Sequence, residues 1–478
     1  MTAPDVSRKW WALASVGSGV LLSTIDGSIV NISLGTLVLA FNSNLNVVEW
    51  VVLAYLLTIT CLLLLMWRLG DMFGKRRVYT AGFVIFTVAS ALCGFAPTVG
   101  ILIGFRVLQA VGAAMIQAVG PALLVTAFPP RERGTALGAI GSFVAVGILV
   151  GPALGGLLLN TVGWQAIFYV NIPVGIVGIW LTLRSIVADQ PAAGRQTFDV
   201  VGALLLMASL FGLLLTLTEA PLWGWSDLRV LGLLALFGVA GAAFIGWELR
   251  FHSPMLNLRI FRNAAFSLNL LSGFVLFLGL AFNLLLTPLF FQLVYHFDLQ
   301  TTGLLLMALP LALSLTSPLS GRLSDRIGAR ALTVAGLVMV GAGLAGLSLS
   351  HPTTPPAQML AFLVVVGAGM GIFQSPNNST VLGNVPHEAL GVASGMLAVM
   401  RTLGQTAGIA LAGTVWASQV LALNGAPITP ITAASPAALA GGFDLAMLVA
   451  AALAVLAILP SLVGGQAVAQ RVTHGRAD

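Results

Sequence analysis

Asp26 is the residue of this 478-residue sequence with the clearest capacity for chemistry, because it sits within a long apolar run. An ionisable group at that depth costs about 2.5–3.5 kcal/mol on insertion scales, so its presence asks for a purpose. The purpose that fits is proton binding: desolvation favours the neutral acid, a nearby cation favours the carboxylate, and access of water or partners shifts the balance. The competing reading is a protonated, hydrogen-bonded structural acid. Arg106, inside another apolar run, is the natural partner, since both groups lie about 12–14 Å from the same ends of their runs at the helical rise. Arg106, Gln109 and Gln117 share one helical face, and Asn31 lies just over one turn beyond Asp26. Arg401, with Gln405 one turn on, is a candidate second internal cation site.

Other patterns point to movement rather than to bond chemistry. Gly147, Gly151 and Gly155 recur every fourth residue, with Pro152 and Gly156 beside them, which lets one helix approach another backbone to backbone and favours a bend. Arg68, Gly70, Asp71, Gly74, Lys75, Arg76 and Arg77 form a charged turn in which Asp71 is expected near the start of a helix, where the helix dipole favours an acid. Ion pairs of about 1 kcal/mol each, formed in one conformation only, would make that turn a latch. Phe143, Asn171, Phe277, Asn283, Phe373, Gln374 and Asn377 are aromatic or amide groups within apolar runs and are candidate pocket residues. The sequence offers no glycine-rich phosphate loop after a strand, no His/Cys ligand cluster and no nucleophile with a base, so neither enzyme activity, a metal nor a cofactor is expected.

These residues need a lipid-embedded scaffold. Hydrophobic residues make up 58% of the chain, charged ones only 8%, and mean hydropathy is +1.01, far from the composition of a soluble domain. Fourteen runs are long enough to span a bilayer, among them 10–35, 47–69, 391–417 and 441–464. All Lys and Arg residues except Arg106, Arg229 and Arg401 fall at connections on the amino-terminal side, which predicts a multi-pass inner (cytoplasmic) membrane protein with both termini cytoplasmic. The net charge of +6 is therefore topological, and no nucleic-acid partner is expected. Trp10, Trp11, Trp50, Trp67, Trp164, Trp223, Trp225 and Trp247 mark span ends, as an interfacial belt requires. Cys61 and Cys93 read as small hydrophobes. The first run is long and contains Asp26, so it reads as a span rather than a cleaved signal.

The chain also repeats itself. Arg68-Leu69-Gly70-Asp71-Met72-Phe73-Gly74-Lys75-Arg76 recurs as Arg322-Leu323-Ser324-Asp325-Arg326-Ile327-Gly328-Ala329-Arg330, and Gly134, Gly147 and Gly151 recur as Gly391, Gly404 and Gly408. Two homologous six-helix bundles follow, with two helices inserted between them: an amino-terminal bundle over 1–186, inserted helices and linkers over 187–262, and a carboxyl-terminal bundle over 263–478. Two parallel repeats are a transporter design, because rocking one against the other exposes one midplane site to each side in turn.

The run from Trp67 to Arg77 resembles the loop 2–3 signature of the major facilitator superfamily, and Gly147 to Gly156 resembles its fifth-helix antiporter motif. Ile25 to Asn31 and Trp164 to Gly175 are similar to segments of the fourteen-helix drug:proton antiporters. The resemblance implies an all-α major facilitator fold, a role for Arg106 in proton transfer, and a leak-preventing seal between the halves at the Gly147–Gly155 stripe. Departures from the pattern are Trp67 for a glycine, Gly35 for a proline and Gln165 for an arginine. The expected function is proton-coupled export of hydrophobic or cationic compounds. Its rivals are a dedicated exporter of one metabolite, lipid or siderophore on the same fold, and a receptor-like membrane protein that does not transport.

Overall fold

A computed structural model describes residues 6–43, 45–129, 132–187, 199–251, 256, 258–386, 389–424 and 434–463. Within hydrocarbon every backbone polar group needs a partner in its own segment, and among the described residues the regular structure is helical throughout. Fourteen helices are long and apolar enough to cross a membrane. They are α1 (Arg8–Ala40), α2 (Trp50–Phe73), α3 (Lys75–Gly94), α4 (Val99–Ala127), α5 (Thr135–Leu159), α6 (Ala166–Ser185), α7 (Val200–Ala220), α8 (Leu228–Glu248), α9 (Ala264–Leu293), α10 (Thr301–Ser324), α11 (Ala329–Leu347), α12 (Pro356–Gly383), α13 (Val392–Asn424) and α14 (Pro436–Val463).

Local chemistry sets several ends. Thr98 accepts from the Ile101 amide to cap α4, and Asn263 accepts from the Ala265 amide at 3.1 Å to cap α9. Two ends differ from expectation. α1 continues past Gly35 and stops only where Asn42 turns left-handed at φ 45°, a conformation that asparagine tolerates. Ser435 caps α14 by accepting from Ala438 at 3.3 Å, and Pro436 opens its first turn, so the helix begins well before the predicted 441 and carries Asp444 inside the span. Asp26 is thus not the only carboxylate within a spanning helix.

The charged turn is also shorter than expected. Helix α2 runs through Asp71 to Phe73, Gly74 alone breaks it at φ 93°, and α3 begins at Lys75. Asp71 therefore lies in the last turn of α2 and not at the start of α3, and its carboxylate meets Lys75 at 3.3 Å across the break. Gly328 makes the same break at φ 89° between α10 and α11. A single glycine with positive φ replaces a loop because a residue with a Cβ would be strained there.

The chain forms two compact units. One comprises Met1–Gly212, Leu236–Leu258 and Pro386–Ala398; the other comprises Leu213–Ala235, Arg259–Val385 and Val399–Asp478. In the first, α4 packs on α2 and α3, and α1 on α5 and α6; in the second, α12 packs on α10 and α11, and α14 on α9 and α11. Glycines fix the closest approaches. A Cβ on Gly82 would lie 3.0 Å from the Gly112 carbonyl oxygen, and one on Gly336 would lie 2.6 Å from that of Gly369, so α3/α4 and α11/α12 touch through backbone in the same way. Arg131, Arg195, Arg471 and Arg476 of the charge pattern lie outside the described residues, as do the side chains of Arg133, Pro152 and Asp325.

Candidate functional site

The α3/α4 contact brings Ser90 and Gln109 together, and α1, α2 and α6 supply the rest of a buried polar cluster in the first unit. Asp26 and Arg106 are both fully buried and form an ion pair at 2.6 Å through Oδ2 and Nη1. Oδ1 of Asp26 accepts from Gln109 Nε2 at 2.9 Å and from Asn171 Nδ2 at 2.8 Å. Gln109 Oε1 accepts from Arg106 Nη1 at 2.6 Å, while its Nε2 also donates to Ser90 Oγ at 2.7 Å. Exchanging the oxygen and nitrogen of this amide would set like against like at Arg106 and at Asp26, so the network fixes its orientation. Arg106 Nε donates to the Val51 carbonyl at 3.0 Å, and its guanidinium lies over the Tyr55 ring at 4.0 Å.

Arg106, Gln109 and Asn171 all act as donors to the Asp26 oxygens. That is the surrounding of an ionised carboxylate, which only accepts hydrogen bonds. Three donors occupy three of the four acceptor positions that a carboxylate offers, and breaking a buried pair of this kind by removing one partner costs about 3–5 kcal/mol.

Of the residues expected here, the structure brings together Asp26, Arg106 and Gln109 and adds Asn171, which the sequence suggested only as a pocket residue. Asn31 is exposed and stands apart from the cluster. Tyr55, Ser90 and the Val51 carbonyl were missed; a tyrosine in mid-span was a signal for the first, whereas the backbone oxygen left none. Cys93 is more than a small hydrophobe, its Sγ lying 3.9 Å from Gln109 Oε1.

The glycine stripe packs on α1 of its own unit. A Cβ on Gly147 would sit 2.7 Å from Thr24 Cβ, one on Gly151 would sit 2.7 Å from Ser28 Cβ and closer still to its hydroxyl, and one on Gly155 would sit 2.7 Å from Ile32 Cδ1. Gly156 departs from the stripe, with open space where its Cβ would be. Ser28 also donates to the Gly147 carbonyl at 3.2 Å. Phe143 packs over Gly17 of α1.

In the second unit Gly404 and Gly408 pack on Phe277 and Ala281 of α9 as Gly147 and Gly151 pack on Thr24 and Ser28. Counting on from those contacts places Gly279 where α1 has Asp26, and a Cβ there would be 3.0 Å from the Ala450 carbonyl of α14. The repeat therefore preserves helix packing but not the acid. Phe277 and Phe373 are core residues of this unit, Asn283 is satisfied by Thr287 at 2.7 Å, and Asn377 is buried with its Oδ1 unpaired among the described residues. Gln374 and Arg401 are half-buried.

In the charged turn, Arg76 donates to the Leu183 carbonyl at 2.6 Å at the end of α6, and a Cβ on Gly70 would lie 3.0 Å from Val119 Cγ2. Lys75 and Arg76 thus meet Asp71 and the Leu183 carbonyl within the first unit. Trp67 is buried, filling space where a glycine was implied.

A multi-pass helical protein built of two similarly packed units, with a buried ion pair in one of them, has the architecture of a membrane transporter. The chain belongs to the Major Facilitator Superfamily, whose profile it matches over residues 16–409. The riboflavin transporter RibZ of Clostridioides difficile is 32% identical over 87% of this chain and 90% of that protein. The multidrug resistance protein Stp of Mycobacterium tuberculosis is 33% identical over 85% of this chain and 75% of that protein. The crystal structure of the human organic anion transporter MFSD10 superposes with a TM-score of 0.66 at 14% identity, covering 95% of this chain and 99% of that one, which is a likeness of fold. The family's members are transporters and not enzymes.

Proposed function

We propose that this transporter is a proton-coupled antiporter that exports hydrophobic or cationic compounds by alternating access, with Asp26 as the proton-exchanging group. The observation that carries the proposal is the all-donor surrounding of the Asp26 carboxylate, where a proton taken up by the acid would neutralise the charge that holds Arg106. Binding a proton releases Arg106; losing it restores the pair. A membrane potential near 100 mV contributes about 2.3 kcal/mol per net entering charge, roughly fiftyfold for a neutral compound exchanged for one proton, whereas one-for-one exchange with a monovalent cation is electroneutral and draws on the pH gradient at about tenfold per unit. Similarity to Stp supports a multidrug range, and a single acid in this cluster suits monovalent lipophilic cations.

Similarity to RibZ favours a second reading, a dedicated exporter of one metabolite. Energised inverted vesicles separate the two: a multidrug exporter accumulates ethidium and related cations, whereas a specialist accumulates riboflavin or another single compound and leaves that panel untouched. The same reading places both termini in the cytoplasm of the cell membrane and assigns 1–186 and 263–478 to two bundles with 187–262 inserted. It gives the Gly147–Gly155 stripe a seal that prevents leak, and the turn of Arg68, Gly70, Asp71, Gly74, Lys75 and Arg76, with Asp325 in the repeat, a latch.

A further inference from the structure

We propose that Tyr55 is a positioning residue for proton exchange: its ring and the Val51 carbonyl one turn earlier form a platform on α2 that holds Arg106 against Asp26. The inference rests on the reading that Asp26 exchanges a proton, and it assigns a task to a helix that contributes neither the acid nor the base. Tyr55 is 3% exposed, and the Arg106 guanidinium lies over its ring at 4.0 Å, closer than the 5.9 Å to Phe168. On the same face of α2 the Val51 carbonyl accepts from Arg106 Nε at 3.0 Å. These two contacts turn the guanidinium so that Nη1 meets both Asp26 and Gln109 at 2.6 Å.

A guanidinium on a flexible arm of three methylenes has other places to go, and Arg106 Nη2 has no hydrogen-bond partner among the described residues. Its position therefore depends on what fixes the rest of the group. The Tyr55 hydroxyl also lacks a described partner, so in this state the residue acts through its ring face and not through its polar end. Negative charge on a ring face attracts a desolvated cation more strongly than an aliphatic side chain can. When α2 moves relative to α4, the platform leaves the guanidinium, the pair loosens, and Asp26 can take a proton.

The test reads the acid without a transported ligand. Protein in liposomes is titrated by infrared difference spectroscopy, and the carboxylic-acid carbonyl band that Asp26→Asn removes reports Asp26. Tyr55→Leu and Tyr55→Met, two replacements that remove the ring, are expected to move the midpoint of that band to higher pH by about one unit, the scale of a desolvated cation–ring contact. Tyr55→Phe restores the ring and is expected to shift the midpoint by less than a third as much. Thermal melting followed by tryptophan fluorescence establishes that each variant is folded.

Folded Tyr55→Leu and Tyr55→Met proteins with an unmoved midpoint overturn the proposal, as does Tyr55→Phe shifting as far as they do. If Asp26→Asn removes no titrating band at all, the reading of Asp26 fails first, and the role given to Tyr55 falls with it. A band lost in Asp26→Asn but indifferent to Tyr55 sinks only the platform.

Discussion

Adding one methyl group at Gly151 should force α5 away from α1, and the structure sets the size of the effect. A Cβ there would lie 2.7 Å from Ser28 Cβ, against the 3.4 Å at which ordinary contact begins, so the helices must part by several tenths of an ångström at a backbone-supported atom. Overpacking of this kind costs about 1–3 kcal/mol, and Gly151→Ala should lower the melting midpoint by about 2–10 °C. Gly147→Ala should behave similarly, because Thr24 Cβ is equally close. Gly155→Ala should be milder, since Ile32 Cδ1 is the far end of a flexible side chain, and Gly156→Ala should be nearly neutral because nothing lies within 4 Å. Ser28→Gly removes the obstructing atoms at the loss of one hydrogen bond, so the double variant Gly151→Ala/Ser28→Gly should be more stable than the sum of its parts by about 1–2 kcal/mol. Melting of purified protein and export in vesicles read the series. Equal damage from Gly156→Ala and Gly151→Ala, or additivity with Ser28→Gly, would refute the reasoning that backbone contact with α1 is what the stripe provides.

Two further outcomes follow from single residues. Gly74→Ala and Gly328→Ala place a Cβ at φ 93° and 89°, so each should destabilise by about 1–3 kcal/mol in thermal melts, and a neutral result at both would show that the breaks can relax. Asp227 precedes α8, and the hydrogen bond from the Arg229 side chain holds its carboxyl below the usual carboxylate range. Because its folded-state affinity for protons is depressed, any stability it adds is present above the ordinary carboxylate range and lost as pH falls through the folded value. The melting difference between wild type and Asp227→Asn should therefore vanish in acid, and a difference that grows there contradicts the assignment.

The spanning helices were legible in the sequence because apolar length alone decides them. What hydropathy reads poorly is polar chemistry at helix ends. Ser435 and Pro436 start α14 early and so set Asp444 deeper in its span than the predicted start at 441 would, and one glycine at position 74 replaces a loop. The Asp26–Arg106 pair was legible from depth, since two buried opposite charges at one level have little alternative but to meet. Its other partners depended on which helices touch. Asn171 was visible as an amide in a span, but only the packing of α6 on α1 aims it at Asp26; Ser90 reaches the cluster only because Gly82 and Gly112 let α3 and α4 close. The repeat was legible from its glycines for the same reason that it misleads about chemistry: backbone contact must be copied to copy the fold, whereas Asp26 need not be, and Gly279 stands in its place.

The most direct test of the account is proton movement tied to cargo. Energised inverted vesicles carrying the wild-type protein should acidify the external medium when a lipophilic cation is added and accumulate that cation about tenfold per unit of pH gradient for each proton exchanged. Vesicles carrying Asp26→Asn should show neither, while still exchanging labelled cation for unlabelled down its gradient. External acidification by Asp26→Asn equal to that of the wild type would contradict the claim that this carboxylate couples the proton to export.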